Sequence, residues 1–274
     1  MNDPSFGDEF DQELLTAGGA PTYFGRDVLR GLVHGITAHR ESQRRSERLW
    51  GIGVIGCAMA LNDPELLEEL ARCESSCIVV TKQEKRHHGK ENFQRLETHA
   101  ATAQGLADLV FPELEELAPL KDGKPVKLGP YGPRLEVSVP AVRELGFRKV
   151  GKHLVPIVHA KLALVGDLCW TDDHPSGYPV DELYFRPRKL WMGSANFTES
   201  SRRSLEVGTW VTDEEILTAA RQFLLNLVVR SEPLRNEADS MDPELHPVVF
   251  DEAAMLEASR DAYDVVDDDD EPWD

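Results

Sequence analysis

Four polar residues stand at alternating positions in two otherwise apolar stretches of the sequence. His159 and Lys161 lie in LVPIVHAKLALVG, and Ser194 and Asn196 lie in KLWMGSANFT. Successive side chains of a strand point to opposite faces, so the members of each pair are expected to point to one side. A phosphate group would satisfy them, because lysine supplies positive charge, asparagine an amide donor and serine a hydroxyl. The pattern therefore predicts a site for a phosphate ester.

The order and spacing of these residues resemble the signature of the phospholipase D superfamily. That signature is H-x-K, an Asp a few residues later, and then G-S-x-N. In this sequence the parts are His159, Lys161, Asp167, Gly193, Ser194 and Asn196. The resemblance implies a phospholipase D-like α/β fold and a phosphodiesterase that uses no metal and no other cofactor.

The resemblance also implies a role for each residue of the site. His159 would be the nucleophile that attacks phosphorus and forms a covalent phosphohistidine, while a second histidine protonates the leaving oxygen. Lys161 and Asn196 would hold the non-bridging oxygens of the phosphate, with the Ser194 hydroxyl beside them. Glu206 matches the acid that, in this family, bonds the far nitrogen of the nucleophilic histidine and fixes its tautomer.

The implied chemistry uses two histidines, whereas one H-x-K followed by G-S-x-N is present. The segment RHHGK at residues 86–90 has a different spacing and no G-S-x-N after it. Single-motif members of the superfamily dimerise and so place two identical motifs across a two-fold axis. The resemblance therefore implies a homodimer with a shared active site.

Two features depart from the superfamily pattern. Asp167 lies one residue later than usual, and Gly166 is expected to mark a β-bulge that restores the geometry. Asp167 and Gly193 are therefore assigned to structural support of the site. Residues 168–192 form a long insertion with turn signals at HPSGYP, and we expect an extended hairpin or flap beside the active site.

Basic residues are frequent in the insertion and just after the second motif. Bases interleaved with aromatic residues beside a phosphodiesterase centre suit a nucleic-acid backbone. We therefore predict that substrate is bound by Arg186, Arg188, Lys189, Arg202 and Arg203. The competing interpretation is a surface ribbon in which Arg186 and Arg188 pair with Asp181 and Glu182, and the sequence leaves both open.

The net charge of −19 is concentrated at the two ends of the chain. Residues 1–20 contain five acidic and no basic residues, and residues 233–274 contain fifteen acidic and two basic ones. The sequence therefore predicts a flexible acidic arm over 1–20, a nearly neutral catalytic domain over 21–232 and an acidic mobile tail over 233–274. The tail could solubilise the chain, cover a basic cleft or dock on a basic protein partner, and the sequence does not rank these roles.

Apolar periodicity predicts helices that alternate with strands, which indicates a layered α/β domain with a mixed central sheet flanked by helices. Helical patterns occupy FGRDVLRGLVHGITAHRESQRRSERL, ELLEELARC after the cap and first-turn proline in Asn62-Asp63-Pro64, residues 93–117 and residues 213–230. Strands are predicted at LWGIGVIGCAMA, CIVVT, RLEVSVPAV, EVGTWVT and the two motif stretches. The two motif strands are expected to be neighbours in one sheet.

These features together predict a cytoplasmic nuclease that hydrolyses DNA in preference to RNA. The first residues lack a basic run followed by an apolar stretch, and no segment is long and apolar enough to cross a bilayer, so neither export nor a membrane partner is expected. By analogy with single-motif relatives, we expect a role in restriction or antiphage defence. The alternatives are a phospholipid phosphodiesterase and a non-catalytic acidic subunit of a nucleic-acid-processing complex.

Overall fold

The computed structural model describes residues 10–15, 20–43, 49–82, 90–130, 136–146, 157–171, 182–234 and 244–264. These residues form five α-helices, which are α1 (Leu29–Gln43), α2 (Pro64–Ala71), α3 (Lys90–Thr102), α4 (Glu214–Arg230) and α5 (Glu252–Asp264). The strands are β1 (Gln12–Leu15), β2 (Pro21–Gly25), β3 (Leu49–Ala58), β4 (Ser75–Thr81), β5 (Leu106–Ala107), β6 (Leu117–Pro119), β7 (Lys127–Leu128), β8 (Ser138–Val139), β9 (Val142–Leu145), β10 (Leu162–Thr171), β11 (Glu182–Gly193), β12 (Glu206–Val211), β13 (Glu232–Pro233), β14 (Leu245–Pro247) and β15 (Val249–Phe250).

Nine strands form one mixed sheet in the order β1-β2-β12-β11-β10-β3-β4-β9-β13. The pairs β3/β4 and β4/β9 are parallel, and the other neighbours are antiparallel. Short ribbons pair β14 with β6, β15 with β7 and β5 with β8. The predicted fold class, a mixed central sheet flanked by helices, is confirmed.

Each face of the sheet is covered by helices over part of its width. On one face, Leu32 and Ile36 of α1 pack with Trp191 and Trp210 in a buried cluster that also takes in α2. On the other face, α4 buries Leu224 in a second cluster with residues of β3, β4, β10 and β11. None of the helices in the described ranges is long and apolar enough to cross a membrane.

The two strands that carry the motifs are neighbours, as predicted. β10 runs antiparallel to β11 with Leu162 opposite Met192, and their register shifts between Val165 and Gly166. This shift is the predicted β-bulge, and a Cβ on Gly166 would lie only 2.3 Å from the Arg186 carbonyl oxygen. A glycine is required at this position because the two backbones approach so closely.

Several predicted elements have different bounds in the structure. The helix predicted from Phe24 begins at Leu29, because Phe24 and Gly25 belong to β2. The helix predicted to reach residue 117 ends at Thr102, because the chain passes too close to β8 for a side chain on Gly105, where a Cβ would meet the Val139 carbonyl oxygen at 1.8 Å. The RLEVSVPAV stretch contributes only β8 and β9. β10 begins at Leu162, so His159 precedes the strand instead of lying on it.

Parts of both predicted acidic ends are built into the fold. In the arm, β1 forms an antiparallel hairpin with β2 and becomes one edge of the large sheet. Within the predicted tail, residues 244–264 form β14, β15 and α5; Leu245 is buried, and Glu244 accepts a hydrogen bond from Arg143 at 2.8 Å. The HPSGYP turn signals, residues 86–89 and the DDDD run at 267–270 lie outside the described residues.

Candidate active site

The segment that carries His159 is held at the end of the sheet by hydrogen bonds to neighbouring strands. Thr81, the last residue of β4, donates its hydroxyl to the Val158 carbonyl oxygen at 2.6 Å. Gly193, the last residue of β11, donates its backbone N–H to the Lys161 carbonyl oxygen at 3.2 Å. The two motifs therefore meet at one end of the β10/β11 pair.

Lys161 and His159 form the centre of the site. Lys161 is buried and His159 is exposed, and Nζ of the lysine lies 3.4 Å from Nδ1 and 3.5 Å from Nε2 of the imidazole. Burial lowers the pKa of Lys161, and the nearby Glu206 carboxylate partly opposes this shift. A group bound to the imidazole would therefore contact an ammonium that is already desolvated.

Ser194 follows β11 directly and is fixed by β12. Its hydroxyl donates to the Glu206 carboxylate and accepts the Val207 backbone N–H at 3.0 Å. Gly193 must be small because a Cβ there would lie 2.8 Å from the Val207 carbonyl oxygen. The predicted supporting role of Gly193 thus has a physical basis in the close approach of β11 and β12.

Asn196 lies in a loop that is tied to the end of β3. Phe197 donates its N–H to the Ala60 carbonyl oxygen at 3.2 Å and accepts the N–H of Asn62 at 2.8 Å. The buried Oδ1 of Asn196 has no hydrogen-bond partner in the part of the chain that the structure describes. An unpaired buried amide oxygen is costly, and because this oxygen can only accept a hydrogen bond, its capacity is for a ligand group that donates one.

Glu206 occupies the site but has a different partner from the predicted one. Its carboxylate accepts from the Ser194 hydroxyl, whereas the resemblance implies a bond to the ring of His159. The reason is the pairing of β11 with β12, which places the first residue of β12 beside the residue that follows β11. Contacts among the described residues therefore join His159 to Lys161 and Ser194 to Glu206, whose charge acts on Lys161. Asn196 follows Ser194 by two residues.

Asp167 lies away from this centre, about 17 Å along β10 from Leu162 at about 3.4 Å per residue. It is fully buried and accepts hydrogen bonds from Nε2 of His39 at 2.8 Å and from Nε of Arg188. Burial alone would raise the pKa of Asp167, but these two hydrogen bonds outweigh it and hold the pKa below its usual value. His39 was not predicted, and nothing in the sequence around it marks it as a partner of a residue 128 positions away.

Two of the predicted substrate-binding residues are engaged within the fold, which differs from the prediction. Lys189 donates to the Gly35 carbonyl oxygen at 2.6 Å and lies 4.5 Å above the Trp210 ring, and burial lowers its pKa to about 8. Arg202 bonds the carboxylates of Asp27, Asp63 and Glu65. Lys189 faces α1 because the bulge shifts the register of β11. Arg202 joins the loop after Asn196 to Asp27, which precedes α1, and to the start of α2.

The other predicted substrate-binding residues differ in exposure and position. Arg188 uses Nε for Asp167, and Arg186 is exposed but precedes Gly193 by seven residues, about 23 Å along the strand. The basic residues of β11 therefore do not lie beside His159. Arg203 is exposed, pairs loosely with Glu199 at 3.5 Å and stays close to the site in sequence.

In the described ranges, no three His, Cys, Asp or Glu side chains come together in a way that could hold a metal ion. The charged groups that do converge at the site are one lysine and one glutamate, Lys161 and Glu206.

No protein-family model and no curated protein matches this sequence. Among solved structures, the chain is similar to NucT from Helicobacter pylori, with 10% identity over 75% of this chain and 89% of that one and a TM-score of 0.40. It is also similar to a phospholipase D family member, Nuc from Salmonella typhimurium, with 12% identity over 74% of this chain and 88% of that one and a TM-score of 0.38.

Proposed function

We propose that this protein is a phospholipase D-like phosphodiesterase that cleaves nucleic acid without a metal. The observation that carries the proposal is the buried Lys161 ammonium, whose Nζ lies within 3.5 Å of both ring nitrogens of the exposed His159. A cation and an exposed imidazole that lie together at one sheet end suit a phosphodiester better than a neutral ligand.

The proposed reaction has two displacements at phosphorus. In the first, a ring nitrogen of His159 forms a bond to phosphorus, the bond to the leaving oxygen breaks, and a second histidine protonates that oxygen. In the second, this histidine takes a proton from water, the water oxygen bonds to phosphorus, and the phosphorus–nitrogen bond breaks. The enzyme returns to its starting state, and the net reaction is hydrolysis of one phosphodiester.

Lys161 and Asn196 stabilise the charge that develops on the non-bridging oxygens. Lys161 is held by the bond from Gly193 to its carbonyl oxygen, so little reorganisation is needed when the phosphate binds. Ser194, which Glu206 fixes, presents its hydroxyl at the same edge of the site. The pair Ser194–Glu206 takes the positioning role in this chain, in place of a bond from Glu206 to the nucleophile.

The second histidine is proposed to come from a second copy of the chain. The sequence contains one H-x-K followed by G-S-x-N, and His159 is exposed at the sheet end, where another molecule can reach it. A two-fold axis near this end would place two copies of His159 on opposite sides of one phosphorus. The active unit is therefore a homodimer with one shared site.

We propose DNA as the substrate before RNA. The domain over residues 21–232 is nearly neutral, so the acidic ends do not prevent a polyanion from reaching the site. A place in restriction or antiphage defence belongs to the proposal by analogy alone.

Cleavage of labelled single- and double-stranded DNA in EDTA tests the proposal. Wild-type protein is expected to cut at least one form, and His159→Ala is expected to abolish cutting while light scattering still shows a dimer. Denaturing electrophoresis of the wild-type reaction, quenched with detergent at alkaline pH to preserve the phosphorus–nitrogen bond, should show a labelled protein–DNA adduct that His159→Ala cannot form.

Mixing experiments test the shared site. With exchange of subunits allowed, addition of excess His159→Ala protein should lower the activity per wild-type chain. The same excess of Glu68→Ala, which removes only an exposed partner of Arg72, is the control. Cutting that requires a divalent cation, or that persists in His159→Ala, would contradict the mechanism.

A further inference from the structure

A small cavity adjoins the catalytic residues on the side of β1 and β2. Its volume is 330 Å³, and it is lined by Phe10, Gln12, Phe24, Gly25, Leu205 and Glu206. This volume lies at the lower end of the range for small-molecule sites, about 300 to 1,000 Å³. The cavity therefore suits one compact group and not an extended one.

The walls of this cavity are apolar and open to solvent. Phe10 is 45%, Phe24 41% and Leu205 53% exposed. Single exposed apolar residues are common on protein surfaces, whereas here three of them surround one cavity. Two of the three are aromatic, so the cavity offers ring faces to a planar ligand.

The backbone around Gly25 brings the two phenylalanines together. Gly25 has a φ of +106°, and a Cβ there would lie 2.7 Å from both the Phe10 carbonyl oxygen and the Asp11 Cα. Asp11 accepts the Arg26 backbone N–H at 2.7 Å and pairs with its guanidinium at 3.0 Å. These bonds lower the pKa of Asp11. They also hold the segment that contains Phe10 against the end of β2. The position of the cavity walls is thus fixed by these backbone and side-chain contacts.

Glu206 joins the cavity to the catalytic centre. It lines the cavity and accepts from Ser194, and its charge acts on Lys161. A phosphate at Lys161 therefore lies one side chain away from the aromatic walls. A group attached to that phosphate through a short linker can enter the cavity while the phosphate stays bound.

We propose that this cavity is a subsite for a nucleobase of the strand being cleaved, stacked on Phe24 and Phe10. The inference rests on the proposed phosphodiesterase site and specifies its substrate as a strand with an unstacked base next to the scissile phosphate. A base in a duplex is paired and stacked, so single-stranded nucleic acid is the form that can fill the cavity.

The polar groups of the cavity favour a base over an acyl chain. Gln12 offers an amide donor and acceptor, and Glu206 offers a carboxylate, so the edge of a base can form hydrogen bonds there. An acyl chain would gain nothing from these groups and would outgrow the cavity. The compact volume also suits a single ring system.

Binding measured in the His159→Ala background tests the subsite separately from cleavage. Two fluorescein-labelled oligonucleotides of one length are compared by anisotropy in EDTA, one with bases throughout and one with consecutive abasic positions at its centre. Loss of a stacked base is expected to weaken binding about tenfold, as aromatic–base contacts generally do. Adding Phe24→Ala should weaken binding of the base-containing strand by a similar factor and leave the abasic strand unchanged.

Two further variants serve as controls. Phe24→Trp keeps a ring and should retain the preference for bases. Phe250→Ala removes an equally exposed ring, at 41%, from β15 and should change neither affinity. Cleavage in EDTA by the chain with His159 intact is scored separately, so a phosphodiesterase without a base subsite is recognised as such.

Three results would overturn the inference. Equal affinity for the base-containing and abasic strands would show that no base is bound. A change of molecular mass on Phe24→Ala would assign the patch to contact between copies of the chain. Loss of binding to phosphatidylcholine vesicles in Phe24→Ala, with oligonucleotide affinity unchanged, would assign the cavity to an acyl chain.

Discussion

The two ends of the β10/β11 pair both carry polar residues of one signature but differ in how those residues are satisfied. At the Leu162 end, His159 is exposed and the buried Oδ1 of Asn196 has no partner among the described residues. Toward the other end, Asp167 is fully buried and accepts hydrogen bonds from the His39 imidazole and the Arg188 guanidinium. Polar groups left unsatisfied at one end are available to a ligand, whereas those satisfied at the other end hold the fold together.

The largest expected effect is on catalysis at the Leu162 end. His159→Ala removes the proposed nucleophile and should lower cleavage in EDTA at least about a thousandfold. Because His159 is exposed and its polar contact among the described residues is with Lys161, the midpoint of thermal unfolding should stay within a few degrees of wild type. Cleavage retained by His159→Ala would show that His159 is not the nucleophile, and the proposed catalytic role of the Leu162 end would be wrong.

The next effect is on stability and comes from Asp167. Asp167→Ala leaves His39 and Arg188 without their common partner and should lower the free energy of unfolding by about 3 kcal/mol, measured in urea. Cleavage per folded molecule should remain within a few-fold of wild type. Glu68→Ala, which breaks an exposed pair with Arg72, should cost less than about 1 kcal/mol.

The pH dependence of stability tests the role of the buried Asp167 carboxylate. The pKa of Asp167 is lower in the folded chain than in the unfolded one, so its stabilising contribution is present above the unfolded pKa, about 3.9. This contribution is lost as the pH falls through the lower, folded pKa. The stability difference between wild type and Asp167→Ala should therefore be constant near neutral pH and shrink in acid below about pH 4. A difference that instead grows in acid would contradict the assigned direction.

Lys161 gives a pH test of the catalytic end. Burial lowers its pKa, so the ammonium is lost at a lower pH than for an exposed lysine, whose ordinary value is 10.5. Cleavage in EDTA should therefore fall on the alkaline side below pH 10.5. Lys161→Arg, which keeps the charge, should move this fall to higher pH even if its maximal rate is lower. An identical alkaline profile in the two proteins would show that another group titrates.

The smallest effects form a matched pair, one at each end. Ser194→Ala removes the hydroxyl that Glu206 fixes and should lower cleavage about tenfold without a change in stability. Arg188→Ala should lower stability by about 1 kcal/mol, because Arg188 is partly exposed, without a change in cleavage. If either variant affected both properties, the separation of the two ends would need revision.

The sequence predicted the elements whose local patterns are strong. Helix α1, the Asp63 cap of α2 and the neighbouring strands β10 and β11 follow from apolar periodicity, capping preference and the order of the motifs. The glycine bulge was predicted because a one-residue displacement of Asp167 needs a compensating irregularity. The meeting of His159 and Lys161 with Ser194 followed from the same alignment of strands.

The features that were missed depend on contacts between distant parts of the chain. Asp167 meets His39 because α1 packs across β10, a contact that no local pattern records. Lys189 turns toward Gly35 because the bulge changes the register of β11. The structure of residues 244–264 includes the pairing of β14 with β6. The number of acidic residues in this segment does not indicate that pairing.

The order of strands in the large sheet also constrains how the molecule is made. β2 pairs with β12, and the hydroxyls of Thr22 and Thr209 lie 2.7 Å apart across 187 positions of sequence. During synthesis β2 can pair with β1 early, but its pairing with β12 must wait until residues 206–211 have left the ribosome. Long-range pairing of this kind slows folding, so the edge of the candidate site that contains β12 is expected to be assembled late. A nascent chain therefore lacks a complete candidate site until residues 206–211 have been made.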